Sequence, residues 1–421
     1  MNLYPEVVIT GVGVVSPIGV GADAFWKSLV DGRSGVSIRS GFEDVPLPHR
    51  IAASVSDFVG KEYVKPRKAM KIMCGPIQYG CGAAAMAVGQ ADYAEDVLVP
   101  ERVGTVFGTE TFFADPAEVA DVFQKCTIDS EYQHERWGEF ALREIQPLWM
   151  LKYLPNMAAS HISIAMDARG PSNSICQGEA SGLLALIEGA GLIQRGVADV
   201  VTVGGTGSQM ALASTLYRGV DLLSQNIDHP EQASRPFAAD RDGMVVGEGA
   251  GAIVLESKEF AEKRGANILA KVGGWSRGYH PVDSAGFSAD LEYHLGTAMN
   301  RAGITRQQVD LVNANAMGAV AGDAQEAVAI ANTVGDVPVV AYKGAFGNLG
   351  PGTSIVELIA SILSINNQQI PPTLNCPTVA DDCPVNVLSG DSPALANINN
   401  CLLYTSPSPR DRTRSRMPSS A

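Results

Sequence analysis

Cys176 is the first side chain to test as a nucleophile. It stands two residues before a glycine, ahead of a helix-like run, in Cys176-Gln177-Gly178-Glu179-Ala180. A thiol at a helix start can be acidified and attack a carbonyl carbon. The sequence assigns it no base, and free cysteines commonly fill cores, so on its own it reads as structural. The six histidines, His49, His134, His161, His229, His280 and His294, form no HExxH or other close ligand set. The seven cysteines include no CxxC pair, so neither a zinc site nor a redox dithiol is expected. Gly11-Val12-Gly13 follows an apolar run but does not complete GxGxxG. Gly204-Gly205-Thr206-Gly207 lacks the lysine of a phosphate loop and reads as a tight strand exit. No cofactor and no metal are expected.

The elements that must position any site alternate between strand and helix. Val7–Thr10 reads as a buried strand ending in a turn at Gly11-Val12-Gly13, and residues 22–29 as a helix. Residues 33–60 read as a turn-rich surface excursion, 70–87 as a small-residue helix and 103–108 as a second strand. Residues 110–155, with Trp137, Trp149 and Met150, suit a pocket lining, an interface or core packing equally. Strands are expected at 173–176, 199–205, 268–273, 309–313 and 339–342. Helices are expected at 155–166, 180–194, 289–301, 325–333 and 354–364. Strand, glycine turn and helix thus recur in both halves, which implies an α/β duplication.

Composition narrows the function. The chain has 421 residues, 46% apolar and 18% charged, with a formal net charge of -14. This is a globular mix, and its sign argues against a general electrostatic footprint on nucleic acid. The N-terminus does not read as a signal peptide, and no apolar run is long enough to span a membrane. A cytoplasmic location is expected from the low cysteine density. From Thr405 the composition breaks to TSPSPRDRTRSRMPSSA, so 405–421 reads as a non-native, disordered tail, with a basic binding tail as the alternative.

Several stretches, in order, are similar to the β-ketoacyl-acyl-carrier-protein synthases, the thiolase-fold condensing enzymes. Val8 to Gly19, VITGVGVVSPIG, resembles their opening strand. Arg235-Pro236-Phe237, Asp240-Arg241-Asp242-Gly243 and Gly247-Glu248-Gly249-Ala250-Gly251 resemble their internal signature. The resemblance runs from about Val7 to Leu363. It implies a thiolase-like duplicated fold, two mixed β-sheet halves in a layered α-β-α-β-α arrangement. Residues 1–256 would form the N-terminal half and 257–404 the C-terminal half.

The catalytic positions depart from that pattern. In register from Gly170-Pro171-Ser172 to Ser181-Gly182, Glu179 stands where the resemblance implies a cysteine nucleophile, and Cys176 falls three residues early. Asn315, in Asn313-Ala314-Asn315-Ala316-Met317, replaces the first catalytic histidine, and Asn348 replaces the second. Asp323, Glu326 and Lys343 persist as supporting residues, with a buried Glu326–Lys343 relation expected. A carboxylate is a poor acyl holder compared with a thiolate, and asparagine cannot shuttle a proton at neutral pH. The resemblance therefore implies a non-condensing homologue similar to a chain length factor, in polyketide or fatty-acid biosynthesis. Its partners would be an intact ketosynthase, with a homodimer as the alternative, and acyl-carrier protein bearing acyl or malonyl thioesters. Two other readings are a divergent acyltransferase or malonyl decarboxylase, and a non-catalytic acyl-chain-binding scaffold. The aromatic gate expected near the C-terminus has no counterpart in 386–401.

Overall fold

The computed structural model describes residues 4–40, 50–94, 96–211, 213–214, 219–280, 286–390 and 392–405. Two sheets organise them. In the larger, the strand order is Ala270–Lys271, Val7–Ser16, Val246–Ser257, Val200–Ser208, Val103–Gly108, Ser172–Ile175. Val246–Ser257 runs antiparallel to its two neighbours in this order, whereas Val103–Gly108 is parallel to both of its own. Ser172–Ile175 is the edge, half-buried to exposed. In the smaller sheet, Asn386–Val387, Pro338–Val340, Leu311–Asn313 and Cys401–Leu403 lie in that order, all parallel.

Two helices fill the space between the sheets. Ser181–Gln194 packs on the larger sheet, and Thr353–Asn367 touches both the larger sheet and the Cys401–Leu403 strand. The second of these buries Ile355, Val356, Ile359, Ala360 and Ile362, so it is apolar almost all round, as a helix enclosed by two sheets must be. Gly75–Ala91 covers the outer face of the larger sheet. Phe287–Ala302 and Val320–Val334 pack together against the smaller one. The layers are helix, sheet, helix, sheet, helix, as expected.

Glycines account for the main corrections. The first strand does not turn at Gly11-Val12-Gly13 but continues to Ser16. A Cβ on Gly11 would lie 2.0 Å from the Ala87 carbonyl oxygen and one on Gly13 equally close to that of Ala83. These glycines let a helix backbone lie directly on the strand, which is why Gly75–Ala91 is rich in small residues. Gly204 to Gly207 likewise lie inside Val200–Ser208 rather than at its exit. Within 33–60, Ile51–Ala53 is fully buried and pairs with Val246 and Gly247, so that stretch is not all surface; residues 41–49 lie outside the described residues. The strand expected at 268–273 shortens to Ala270–Lys271. Residues 110–155 form short, mostly exposed helices and a two-strand hairpin, with Leu142, Leu148 and Met150 in solvent. Of the basic tail, 406–421 lie outside the described residues.

Candidate functional site

The chain leaves the Ser172–Ile175 edge strand, passes Cys176, and turns at Gly178, whose φ of 57° is left-handed. Ser181 locks this turn. Its Oγ accepts from Gln177 N at 2.7 Å and donates to the Gly178 carbonyl at 2.6 Å. Cys176 is left exposed, 3.3 Å from Thr109 Oγ1. Glu179 is turned inward and is 2% exposed, directly ahead of the Ser181–Gln194 helix.

Asn348 meets Glu179 from the other half of the chain. Its Nδ2 donates to Glu179 Oε1 at 3.2 Å, and its Oδ1 accepts from Gly350 N at 2.9 Å and Thr353 Oγ1 at 3.3 Å. The carbonyl end is thus committed to the turn, which leaves the amino end to face the carboxylate. The turn is fixed by close backbone contact, since a Cβ on Gly205 would lie 2.1 Å from the Pro351 carbonyl oxygen.

Asn315, Glu326 and Lys343 form a second assembly with Glu357. Lys343 Nζ donates to Glu357 Oε1 at 2.6 Å and Asn315 Oδ1 at 3.1 Å, and Asn315 N donates to Glu326 Oε1 at 2.7 Å. The expected Glu326–Lys343 relation is therefore indirect, running through Asn315, and Glu357 is the lysine's direct partner. Glu357 is the lone charge on an otherwise apolar buried helix, a signal legible in TSIVELIASILS. Asp323 stands apart, accepting from Met317 N at 3.1 Å, Gly318 N at 3.0 Å and Phe237 N at 3.1 Å. It clamps the loop after Asn315 to the Arg235-Pro236-Phe237 stretch. Arg235 pairs with Asp240 and Asp242, and Arg241 with Asp382, so that signature serves architecture.

Burial pushes Glu326 up to about 8, with the neighbouring Asp323 adding to the rise against the Asn315 N–H that favours the anion. Burial also raises Asp323, against its three backbone donors. Glu110 is a further buried acid that sequence reasoning passed over. It accepts from Ser208 N at 2.8 Å and Gln209 Nε2 at 2.6 Å, beside Gly350. Its polar character was the available signal, at the exit of a strand buried on both faces.

Chemically, the site offers carboxylates, amide donors and one paired ammonium. Glu179, Asn315 and Asn348 supply neither thiolate nor imidazole. Among the described residues no group of three or more His, Cys, Asp or Glu side chains is placed to hold a metal ion, and no helix is long and apolar enough to cross a membrane.

Comparison with known proteins gives the family and the fold. Residues 5–261 match the beta-ketoacyl synthase N-terminal domain, and residues 276–377 match the C-terminal domain. The 3-oxoacyl-[acyl-carrier-protein] synthase 2 of Staphylococcus aureus (strain COL) is 30% identical over 405 residues, 94% of each chain. The structure of the ishigamide ketosynthase/chain length factor superposes with a TM-score of 0.82 at 26% identity, covering 96% of this chain and 97% of that one. A beta-ketoacyl synthase from Burkholderia phymatum STM815 gives a TM-score of 0.82 at 25% identity over 94% of each chain.

Proposed function

The chain belongs to the beta-ketoacyl synthase family, and from that premise we propose that it is a non-condensing member working beside an active ketosynthase in polyketide or fatty-acid biosynthesis. In this reading it resembles a chain length factor, acts in the cytoplasm, and divides into halves at 1–256 and 257–404. The observation that carries it is the buried Glu179–Asn348 hydrogen bond. Where the family motifs call for a thiol and an imidazole, a carboxylate is held by an amide, and neither can carry an acyl group or relay a proton as that pair does.

Two surfaces support partnership. Ser172–Ile175 ends the larger sheet as an edge, paired on one side with Val103–Gly108, and such an edge can extend the sheet into a second subunit. Lys61, Lys65, Arg67, Lys68 and Lys71 are all exposed, with Glu62 as the acid among them. On a chain of net charge -14 this local cationic face suits an acidic partner, as a carrier protein would be.

Co-expression with the intact ketosynthase of the same organism, followed by light scattering on the purified material, tests the reading. A one-to-one heterodimer is expected. A stable monomer or self-associated dimer that does not bind the ketosynthase overturns it.

A further inference from the structure

Among the described histidines, His161 alone is buried, at 8% exposed. It sits in the Met157–Met166 helix, which turns Ala158, Ala159 and Ile162 into the core beside it. Its ring Nε2 is buried and has no hydrogen-bond partner among the described residues. None of the chemistry discussed above uses this ring.

The helix braces the end of the larger sheet. It packs on Gly75–Ala91, on the Val103–Gly108 and Ser172–Ile175 strands, and on Trp149–Tyr153. Ser163 Oγ lies 3.4 Å from Ser172 Oγ, and Thr202 Oγ1 donates to Met166 Sδ at 3.3 Å. The titratable side chains on these elements are Tyr79 and Cys81 on Gly75–Ala91, and Lys152 and Tyr153 on Trp149–Tyr153. The two strands carry none, nor does Val200–Ser208, which supplies Thr202. No carboxylate stands on any of these elements or on the helix itself. Asp167, just past the helix end, is exposed and pairs with Arg169. A neutral imidazole is tolerated in such a place. An imidazolium is not, because it brings two N–H donors and a full charge into a desolvated site with no carboxylate on the elements around it. Burial, with no charged neighbour contributing, holds the His161 ring below the usual imidazole range.

We propose that His161 is an acid-sensitive catch for the sheet edge: taking up a proton unseats the Met157–Met166 helix and loosens the Ser172–Ile175 strand on which it packs. The sign follows from where the proton binds. An unseated ring protonates near its usual value of about 6.5, whereas the seated ring does so only at lower pH. The closed state is therefore at full strength above about pH 6.5. It weakens as pH falls from there towards the seated ring's own value, by up to about tenfold in the opening equilibrium per pH unit. The device does not depend on the partner reading, although the strand it holds is the edge assigned there to a second subunit.

Amide hydrogen exchange of the full-length protein, read by mass spectrometry at about pH 7.5 and about pH 5.5, brackets this titration. On going to the lower pH, peptides spanning 157–175 should open about tenfold more in the wild type than in His161→Asn, whose side chain does not titrate. His161→Gln should repeat the result, which guards against a misfolded first variant. Equal acid responses in the wild type and both variants overturn the inference. So does a wild-type-specific response of the same size in the Phe287–Ala302 and Val320–Val334 helices, because that marks global unfolding rather than release of the edge.

Discussion

The two halves of the site engage their buried acids through different groups. Around Lys343, cation meets anion: the ammonium bonds Glu357 and Asn315, and Asn315 passes the connection on to Glu326. Around Asn348, acid meets amide: Glu179 accepts from the Asn348 side chain, and Glu110 accepts from Ser208 N and the Gln209 side chain. The first arrangement is a brace. It spends a matched ion pair to join the Lys343–Phe346 helix to the Thr353–Asn367 helix. The second is where the resemblance calls for reacting groups, and there amide donors meet the two carboxylates. Under the proposed reading, support and chemistry are separable in this fold, and loss of the second leaves the first intact.

The contrast breaks most visibly at the brace. Lys343→Met strands Glu357 without its cation, and removal of one partner of a buried pair costs about 3–5 kcal/mol. The urea midpoint should fall accordingly, whereas Lys343→Met/Glu357→Leu should recover most of the loss. Additive losses in the double variant would show that the pair is not the brace.

Glu326 sharpens the comparison through pH. Its folded value of about 8 lies above that of an unfolded glutamate, about 4.3, so the folded state holds a proton that the unfolded state releases. Its contribution to stability is complete below the unfolded value and drains away as pH rises towards 8. Glu326→Gln keeps an oxygen for Asn315 N and removes that titration. The variant should gain on the wild type by up to about 1.4 kcal/mol per pH unit between roughly pH 4.5 and 8, then level off. Parallel stability profiles across that window would contradict the assignment.

The amide side gives the smallest effect. Glu179→Gln keeps an oxygen to accept the Asn348 hydrogen bond, so unfolding free energy should stay within about 1 kcal/mol of wild type. Glu179→Leu leaves the Asn348 N–H without its acceptor and should cost about 1–3 kcal/mol. Equal destabilisation by both variants would mean that the negative charge itself is needed for folding.

Much of this was legible in the sequence because it is local. The helices at 180–194 and 354–364 follow from apolar periodicity, and their structural spans differ by a few residues at most. Glu179, Asn315 and Asn348 follow from register within glycine-bounded motifs. What stayed hidden depends on contact. Gly11 and Gly13 look like a turn until Gly75–Ala91 lies across them, because a glycine required by close approach has the same letter as one required by φ. The partner of Lys343 was sought in the neighbouring motif at Glu326, yet helix geometry brings up Glu357. Glu110 carries no motif, and only the fold puts it behind Gly350.

The central claim, that this chain does not condense, is tested most directly by intact mass spectrometry of the purified protein after exposure to octanoyl-acyl-carrier protein, with peptide mapping of any adduct. Glu179 has no sulfur to hold the acyl group, and Cys176 is exposed, with its Sγ 3.3 Å from Thr109 Oγ1. The account predicts an unchanged mass and no ketoacyl product when malonyl-carrier protein is added. A stable acyl adduct mapped to Cys176, lost in Cys176→Ala and accompanied by product, would contradict it.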